Sequence, residues 1–257
     1  MGKELVYLVA KYPQKGKSKT RMVPLLGEDG AAELSRAMIL DTLALLVEPT
    51  ADKVETQREV CVYFAPEEKE AAMAELMGDR GSMGRVGSAR MLAIPSAVQN
   101  SLTSNLTDVL RYALTQAQSQ DEYRAVTFVG SDCPQLPPHE LRRGEEEARK
   151  GRAYLVPASD GGYVLLSLPS GAPITVFDGV EWSTEGTLVS QRAALERAGM
   201  TVVVADGSYV DMDEPADAHA LLMASVVEEE ATGVHVDSKR CTRTLAFLQS
   251  RLQGGGS

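Results

Sequence analysis

The sequence predicts an α/β fold, a sheet with intervening helices in a doubly wound or related arrangement. Three observations predict it. Strand-like apolar runs alternate with segments of helical period along most of the chain. Runs such as LVYLVA at 5–10 and TVVVAD at 201–206 are apolar almost throughout, as in strands covered on both faces. Apolar residues make up 44% of the 257 residues, enough for one large core.

The elements read in order as follows. The first strand is LVYLVA, and a basic loop follows it. GEDGAAELSRAMILDTLALLV, 27–47, carries Leu34, Met38, Leu45 and Leu46 at helical spacing, with Glu28 and Asp29 at its positive end. EVCVYFAP, 59–66, is a second strand closed by proline, and EEKEAAMAELM, 67–77, a second helix. The segment 78–101 is the least readable, and its early half, with four glycines between 78 and 87, reads as a flexible loop. SNLTDVLRYALTQAQ, 104–118, is a helix, and AVTFVGSDCPQLPPHEL, 125–141, is strand, tight loop and helix. RAYLVPASDGGYVLLSL, 152–168, is two strands around a turn, followed by a helix at 183–199 that glycine ends. A strand at 201–206, a helix at 213–230 and a last helix at 239–252 complete about six strands with their helices. Residues 1–230 are expected to form one domain, with 231–257 a C-terminal extension ending in a GGGS tail.

Composition narrows the function. A formal net charge of −10 repels nucleic acid and anionic membrane surfaces. No apolar run reaches the roughly 18 residues of a spanning helix. Cys61, Cys133 and Cys241 are odd in number and far apart, which gives no disulfide framework and points to a reducing, cytoplasmic setting. His139, His219 and His235 have no zinc-ligand spacing.

Cationic side chains gather in KYPQKGKSKTR, 11–21, which suggests a local anion site for a small phosphorylated ligand. Its GKS is not a P-loop. Lys11 stands where the motif's first glycine belongs, Pro13 removes a backbone donor, and no helix begins at Ser18. Two readings remain: a solvated basic loop, or side chains gripping a diphosphate or triphosphate. Asp132, just past a strand in FVGSDCP, reads as a ligand for Mg²⁺ or Mn²⁺ on substrate phosphates, or as a turn or helix cap. Asp211 and Asp213 in YVDMDEP are two apart, so in an extended segment both face one side. They are further metal candidates, with Asp213 also suited to cap the helix that Glu214 and Pro215 open. Gly161 and Gly162 after Asp160 allow close backbone approach to a ring or sugar, or a hairpin turn. Trp182 is the one tryptophan and reads as pocket-lining or buried.

Five segments in order carry a resemblance. They are KxPxxGxxKTRxxxxLG (Lys11 to Gly27), GSDCPxL (Gly130 to Leu136), DGGY (Asp160 to Tyr163), FxGVxWST (Phe177 to Thr184) and VDMDEPAD (Val210 to Asp217). Together they resemble the DUF2064 group of GT-A-fold, nucleotide-diphospho-sugar-transferase-like proteins over about residues 4–220. Some members are called transferase 1, associated with radical-SAM and selenoprotein genes. The resemblance implies a Rossmann-like, three-layer α/β/α GT-A fold with a nucleotide pocket at the strand ends. It implies that Lys11, Lys19 and Arg21 lie near the nucleotide or its phosphates, and that Asp132 stands where such folds place the metal-binding aspartate; Trp182 joins the nucleotide-binding candidates as a pocket residue. It places Asp160, Gly161 and Gly162 at the sugar or acceptor site, and Asp211 or Asp213 completing the metal site. One segment departs from the pattern. Where the family often has a GxDLGxR-like stretch, this chain has Asn105, Thr107 and Val109.

The expected activity is metal-dependent transfer from an activated nucleotide to an acceptor that the sequence does not name. Glycosyl transfer from a nucleotide sugar, with Asp160 as acceptor base, leads. Nucleotidyl transfer from an NTP to a phosphorylated molecule is the alternative, with Arg85 and Arg90 to meet that phosphate. In both, Asp132 and Lys19 act on the reacting phosphates. A non-catalytic nucleotide-binding scaffold is the third reading. A dehydrogenase is disfavoured, since no GxGxxG follows the first strand.

Overall fold

The structure is a computed structural model that describes residues 2–48, 57–78, 89–99, 106–226 and 240–252. Seven strands form one sheet: β1 (Lys3–Lys11), β2 (Arg58–Ala65), β3 (Ala89–Ala93), β4 (Tyr123–Gly130), β5 (Ala153–Pro157), β6 (Tyr163–Pro169) and β7 (Val202–Val204). Their order is β3-β2-β1-β4-β6-β5-β7. β1 pairs in parallel with both β2 and β4, and β2 with β3. β6 alone runs antiparallel, against β4 on one side and β5 on the other. This is the mixed, mostly parallel, Rossmann-like GT-A architecture.

Eight helices are described: α1 (Val23–Val47), α2 (Glu70–Gly78), α3 (Ser96–Gln99), α4 (Leu106–Gln118), α5 (Pro138–Arg149), α6 (Thr187–Arg197), α7 (Pro215–Val226) and α8 (Thr242–Leu252). Alternation along the strands divides the core into two layers. Val6, Leu8, Val62 and Phe64 face Ile39, Leu43 and Leu141 of α1 and α5. Leu5, Tyr7, Cys61 and Tyr63 face Leu110 and Leu114 of α4, and Leu195 of α6 completes that side. Full burial of side chains this size contributes about 1.5–3 kcal/mol each before ordering costs are subtracted. The Tyr7 hydroxyl, buried among them, donates to the Ala113 carbonyl at 3.2 Å, so its polar end is not stranded.

A third apolar cluster joins α1 to α7 and α8 through Met22, Leu34, Met38, Leu221, Leu245 and Leu248. Asp41 of α1 is fully buried there. Its carboxylate accepts from the Thr244 N–H and hydroxyl, both at 2.8 Å, and from the Arg243 N–H at 3.3 Å. A side chain from another helix thus caps the start of α8.

Three expectations change. The strands number seven, because β3 (ARMLA) follows the glycine-rich loop in a stretch to which the sequence assigns no element. It is short, lies at the sheet edge and is only half-buried, so it has neither an apolar run nor a clean alternation. α1 begins at Val23, not after Gly27, with Pro24 in its first turn. Gly27, at φ 70° and ψ 169°, breaks it where the sequence suggested a start. The second helix opens with a 3-10 turn, Glu67–Lys69, before α2. Arg85, Asn105, most of the glycine-rich stretch and the GGGS tail lie outside the described residues.

Candidate active site

From β1 the chain steps to β2 and β3 on one side, then crosses to β4 on the other. The strand order reverses between β1 and β4, and in open α/β sheets ligands bind beyond the carboxyl ends of strands at such a point. The loops after β1 and β4 are therefore neighbours. β6 starts on the same rim because it runs antiparallel, which brings Asp160 there too. The segment 209–213 lies alongside: the Ser159 N–H donates to the Tyr209 carbonyl at 2.9 Å, and the Met212 N–H to the Asp132 carbonyl at 2.9 Å.

The loop after β1 is closed by its own hydrogen bonds. The Lys17 and Ser18 N–H groups both donate to the Gln14 carbonyl at 3.0 Å, and the Gln14 N–H donates to the Ser18 hydroxyl at 2.8 Å. Gly16 turns the chain at φ 70°. These backbone donors point inward, so the loop cannot cradle phosphate as a P-loop does. Its side chains diverge instead. Lys11 is exposed at the end of β1, and Lys15 pairs with Asp29 at 2.7 Å.

Lys19 turns into the molecule. Its backbone is left-handed, at φ 46° and ψ 50°, which is rare for a residue with a Cβ. Its side chain is 8% exposed, and its Nζ lies 3.1 Å from Asp132 Oδ1 and 3.4 Å from Asp213 Oδ1. Arg21, more exposed, places Nη1 2.7 Å from Asp213 Oδ2. Burial pulls the Lys19 ammonium pKa down, but Asp132, Asp211 and Asp213 together outweigh it, so the net direction is up. Burial pushes the Asp211 carboxyl up to about 7, aided by the Asp132 carboxylate and opposed by Lys19.

Asp132, Asp160 and Asp211 line one cavity of about 190 Å³ with Gly130, Cys133, Ala158, Gly162, Tyr163 and Val164. Asp160 Oδ1 accepts the Gly162 N–H at 2.8 Å, an Asx-turn that fixes the carboxylate at the cavity edge. Gly161, at φ 87°, faces the other way. A Cβ there would lie 2.3 Å from the Glu185 carbonyl oxygen, so this glycine serves close backbone packing. Trp182 lies behind the cavity wall. Its ring centroid is 6.1 Å from that of Tyr163, and its Nε1–H donates to the Thr107 hydroxyl at 2.7 Å.

The two capping alternatives separate cleanly at 213–217. The N–H groups of Asp213 and Glu214 donate to Asp217 Oδ2 at 2.9 and 2.6 Å. Asp217 caps the segment, which leaves the Asp213 carboxylate to Lys19 and Arg21. Sequence reading missed the residues that hold this segment in place. Fully buried Gln135 donates through Nε2 to the Val210 carbonyl at 2.6 Å, and the Tyr209 hydroxyl donates to buried Glu140 at 2.9 Å. Gln135 stands within the GSDCPxL stretch, but nothing local marks its partner 75 residues away.

Among the described residues no group of three or more His, Cys, Asp or Glu side chains could cage a metal unaided. What they offer is hard carboxylate oxygen from Asp132 and Asp213, with Asp211 beside them. Mg²⁺ is commonly held by one or two carboxylates together with phosphates and water, so this donor set fits an ion that arrives on phosphate.

The chain belongs to the DUF2064 family, described as uncharacterized proteins conserved in bacteria, whose profile matches residues 50–184. Among curated proteins none matches it. Its fold is similar to that of a protein assigned as a nucleotide-diphospho-sugar transferase from Desulfovibrio desulfuricans G20. That match has a TM-score of 0.74 and 22% identity, over 98% of this chain and 96% of the other. A 4-diphosphocytidyl-2C-methyl-D-erythritol synthase matches at TM-score 0.50 and 12% identity, over 85% of this chain and 96% of its own. A CMP:2-keto-3-deoxy-manno-octonic acid synthetase, in complex with CTP, also matches at 0.50 and 12%, over 88% of this chain and all of the other.

Proposed function

We propose that this protein is a metal-dependent transferase that uses an activated nucleotide, with glycosyl transfer from a nucleotide sugar as its reaction. One observation carries the reading. At the point where strand order reverses, a buried lysine and an arginine converge on the same strand-end carboxylates, next to a small carboxylate-lined cavity. Cations and metal-binding carboxylates brought together are what a leaving diphosphate requires.

In this reading Lys19 and Arg21 hold the phosphates, and Asp132 with Asp213 or Asp211 holds Mg²⁺ or Mn²⁺. When bound, the metal supplies Lewis-acid neutralisation of the departing diphosphate. Lys19 adds a fixed positive charge from a buried position, where it acts more strongly than in water. Asp160 takes the proton of the acceptor hydroxyl, since one of its oxygens is anchored by Gly162 and the other is free of that bond. Gly162 and Tyr163 shape the sugar side of the cavity. Lys11 and Trp182 belong to the nucleotide side in this assignment, with Gly161 keeping the Asp160 turn against Glu185.

Of the two cations expected to meet an acceptor phosphate, Arg85 lies outside the described residues, and the position of Arg90 supports glycosyl over nucleotidyl transfer. It lies near the start of β3 and pairs with Glu59 at 2.6 Å, near the start of β2 and on the opposite rim. It cannot meet an acceptor phosphate at the cavity. The non-catalytic reading has its own support. Thr107 stands where the family often carries a ligand-facing group, but here its hydroxyl bonds within the fold, accepting from Trp182, and Val109 brings no polar side chain.

A cytoplasmic setting and the gene association of some family members belong to the same proposal. The three free cysteines, all buried, support the first. Among the described residues no helix is long and apolar enough to cross a membrane.

Calorimetric titration of nucleoside diphosphates, triphosphates and nucleotide sugars, with Mg²⁺, with Mn²⁺ and with EDTA, tests the proposal. Metal-dependent binding of a nucleotide sugar with slow hydrolysis is expected. Preference for a triphosphate with pyrophosphate release would replace glycosyl by nucleotidyl transfer. Binding without turnover across the panel would favour the scaffold, and no binding would end the activated-nucleotide reading.

A further inference from the structure

The Asp132–Asp213 pair already holds a cation, and it belongs to the chain. Lys19 Nζ sits between Asp132 Oδ1 and Asp213 Oδ1, and Arg21 occupies Asp213 Oδ2, so both Asp213 oxygens are engaged. The backbone that carries Asp213 is held in place, because its own N–H and that of Glu214 are tied to Asp217. Lys19 is equally constrained. It follows the closed turn 14–18 and keeps a left-handed backbone, a conformation held only where its surroundings fix it.

We propose that Lys19 is a resident placeholder for the metal. It must leave these carboxylates before Mg²⁺ or Mn²⁺ can use them, so the metal enters together with phosphate and not alone. The inference rests on the reading of this site as one for metal and phosphate.

The physical argument concerns what each cation leaves behind. A divalent ion that draws on both carboxylates competes for the place the ammonium occupies. Without phosphate, the displaced ammonium would be a nearly buried charge that has lost both its contact partners and keeps only neighbouring Asp211, which is costly. With phosphate present it exchanges two carboxylate partners for phosphate oxygens, charge-assisted bonds of the same kind. Arg21 differs because its guanidinium is two-thirds exposed and water can satisfy it. Lys19 therefore couples metal binding to phosphate binding, and the coupling is reciprocal.

The test reads Mn²⁺ binding to the nucleotide-free full chain by electron paramagnetic resonance, at fixed ionic strength. K19M keeps the apolar stem without the charge, and K19Q keeps a polar end. Both should bind Mn²⁺ alone about tenfold or more tighter than the unaltered chain, a coupling of ordinary size. R21Q removes a positive charge from the same carboxylate and should change affinity by less than about threefold. Circular dichroism and thermal melting confirm that each variant is folded. Unchanged or weaker Mn²⁺ affinity in K19M and K19Q overturns the proposal. So does an equal gain in R21Q, which would reduce the effect to general charge.

A check on the unaltered chain needs no variant. Pyrophosphate should raise its Mn²⁺ affinity by about tenfold after correction for the solution complex, and no increase overturns the proposal. The two readings fail separately. Metal-dependent nucleotide binding with no gain in K19M would leave the transferase reading intact and remove only the placeholder.

Discussion

Residues whose roles are decided by a single contact carry the sharpest consequences. Asp132 is the carboxylate that both the Lys19 ammonium and the cavity share. Asp132→Ala should lower nucleotide affinity in the presence of Mg²⁺ by about tenfold or more, and leave affinity in EDTA nearly unchanged. Calorimetry with and without chelator separates the two. An unaltered metal-dependent increment in the folded variant would remove Asp132 from the metal site. Gly161 tests the frame around the site. It combines φ 87° with a Cβ position 2.3 Å from a backbone oxygen, so neither rotation nor a side-chain shift relieves an added methyl group. Gly161→Ala should cost about 2–4 kcal/mol. Gly171→Ala, where nothing lies within 4 Å, should stay within about 0.5 kcal/mol. Urea midpoints for the pair check this, and equal midpoints would refute the close-packing role.

Elements were legible in the sequence where period and burial agree. β1, β2 and β4 are apolar runs covered on both faces, so composition alone marks them. β3 was not legible, because a half-buried edge strand needs only its neighbour β2 and no pattern of its own. The candidate site was legible as a set of strand-end residues and illegible as a geometry. Lys19 and Asp213 are 194 positions apart, and their meeting depends on sheet order, which no local pattern encodes. The same limit hid the attachment of α8. Its sequence reads only as a last helix at 239–252, while its anchor, Asp41, sits mid-helix in α1, far away in the chain. Asp41→Ala removes four hydrogen bonds at once and leaves the Thr244 N–H buried without a partner. It should cost about 2–4 kcal/mol and raise amide exchange in α8 before the sheet. Exchange mass spectrometry that finds α8 as protected as in the unaltered chain would contradict the capping role.

Across the molecule as a whole, two ionic clusters stand at opposite rims of one sheet. The carboxyl rim carries the candidate site. The opposite rim carries a buried ionic group that joins β1, β2 and α5. Arg149 Nε lies 2.7 Å from Glu4 Oε1, and Arg58 binds Glu145 through Nε at 2.5 Å and Nη2 at 2.9 Å. Glu4 is 1% exposed, and its Oε2 has no hydrogen-bond partner. Burial first, then the nearby Glu145 carboxylate, push its carboxyl up to about 7, against the pull of Arg149. A proton on Glu4 also lets this carboxyl donate to Glu145, which adds to the effect of burial. The folded value lies above the unfolded one, so this group's contribution to stability is full below the ordinary carboxylate range and is lost as pH rises through about 7. Glu4→Gln fixes the neutral, donating form. Between pH 5 and pH 8 the unaltered chain should therefore lose stability relative to this variant, by on the order of 2 kcal/mol. Asp211 and the other titrating groups away from this cluster are common to both proteins and cancel in the difference, while Glu145 interacts directly with Glu4 and its response is part of what is read. Urea titrations of the pair across that range give it directly, and parallel stability curves would show that Glu4 stays ionised. Because the cluster lies across the sheet from Lys19 and Asp132, the variant should leave nucleotide and metal affinity unchanged at every pH in the series.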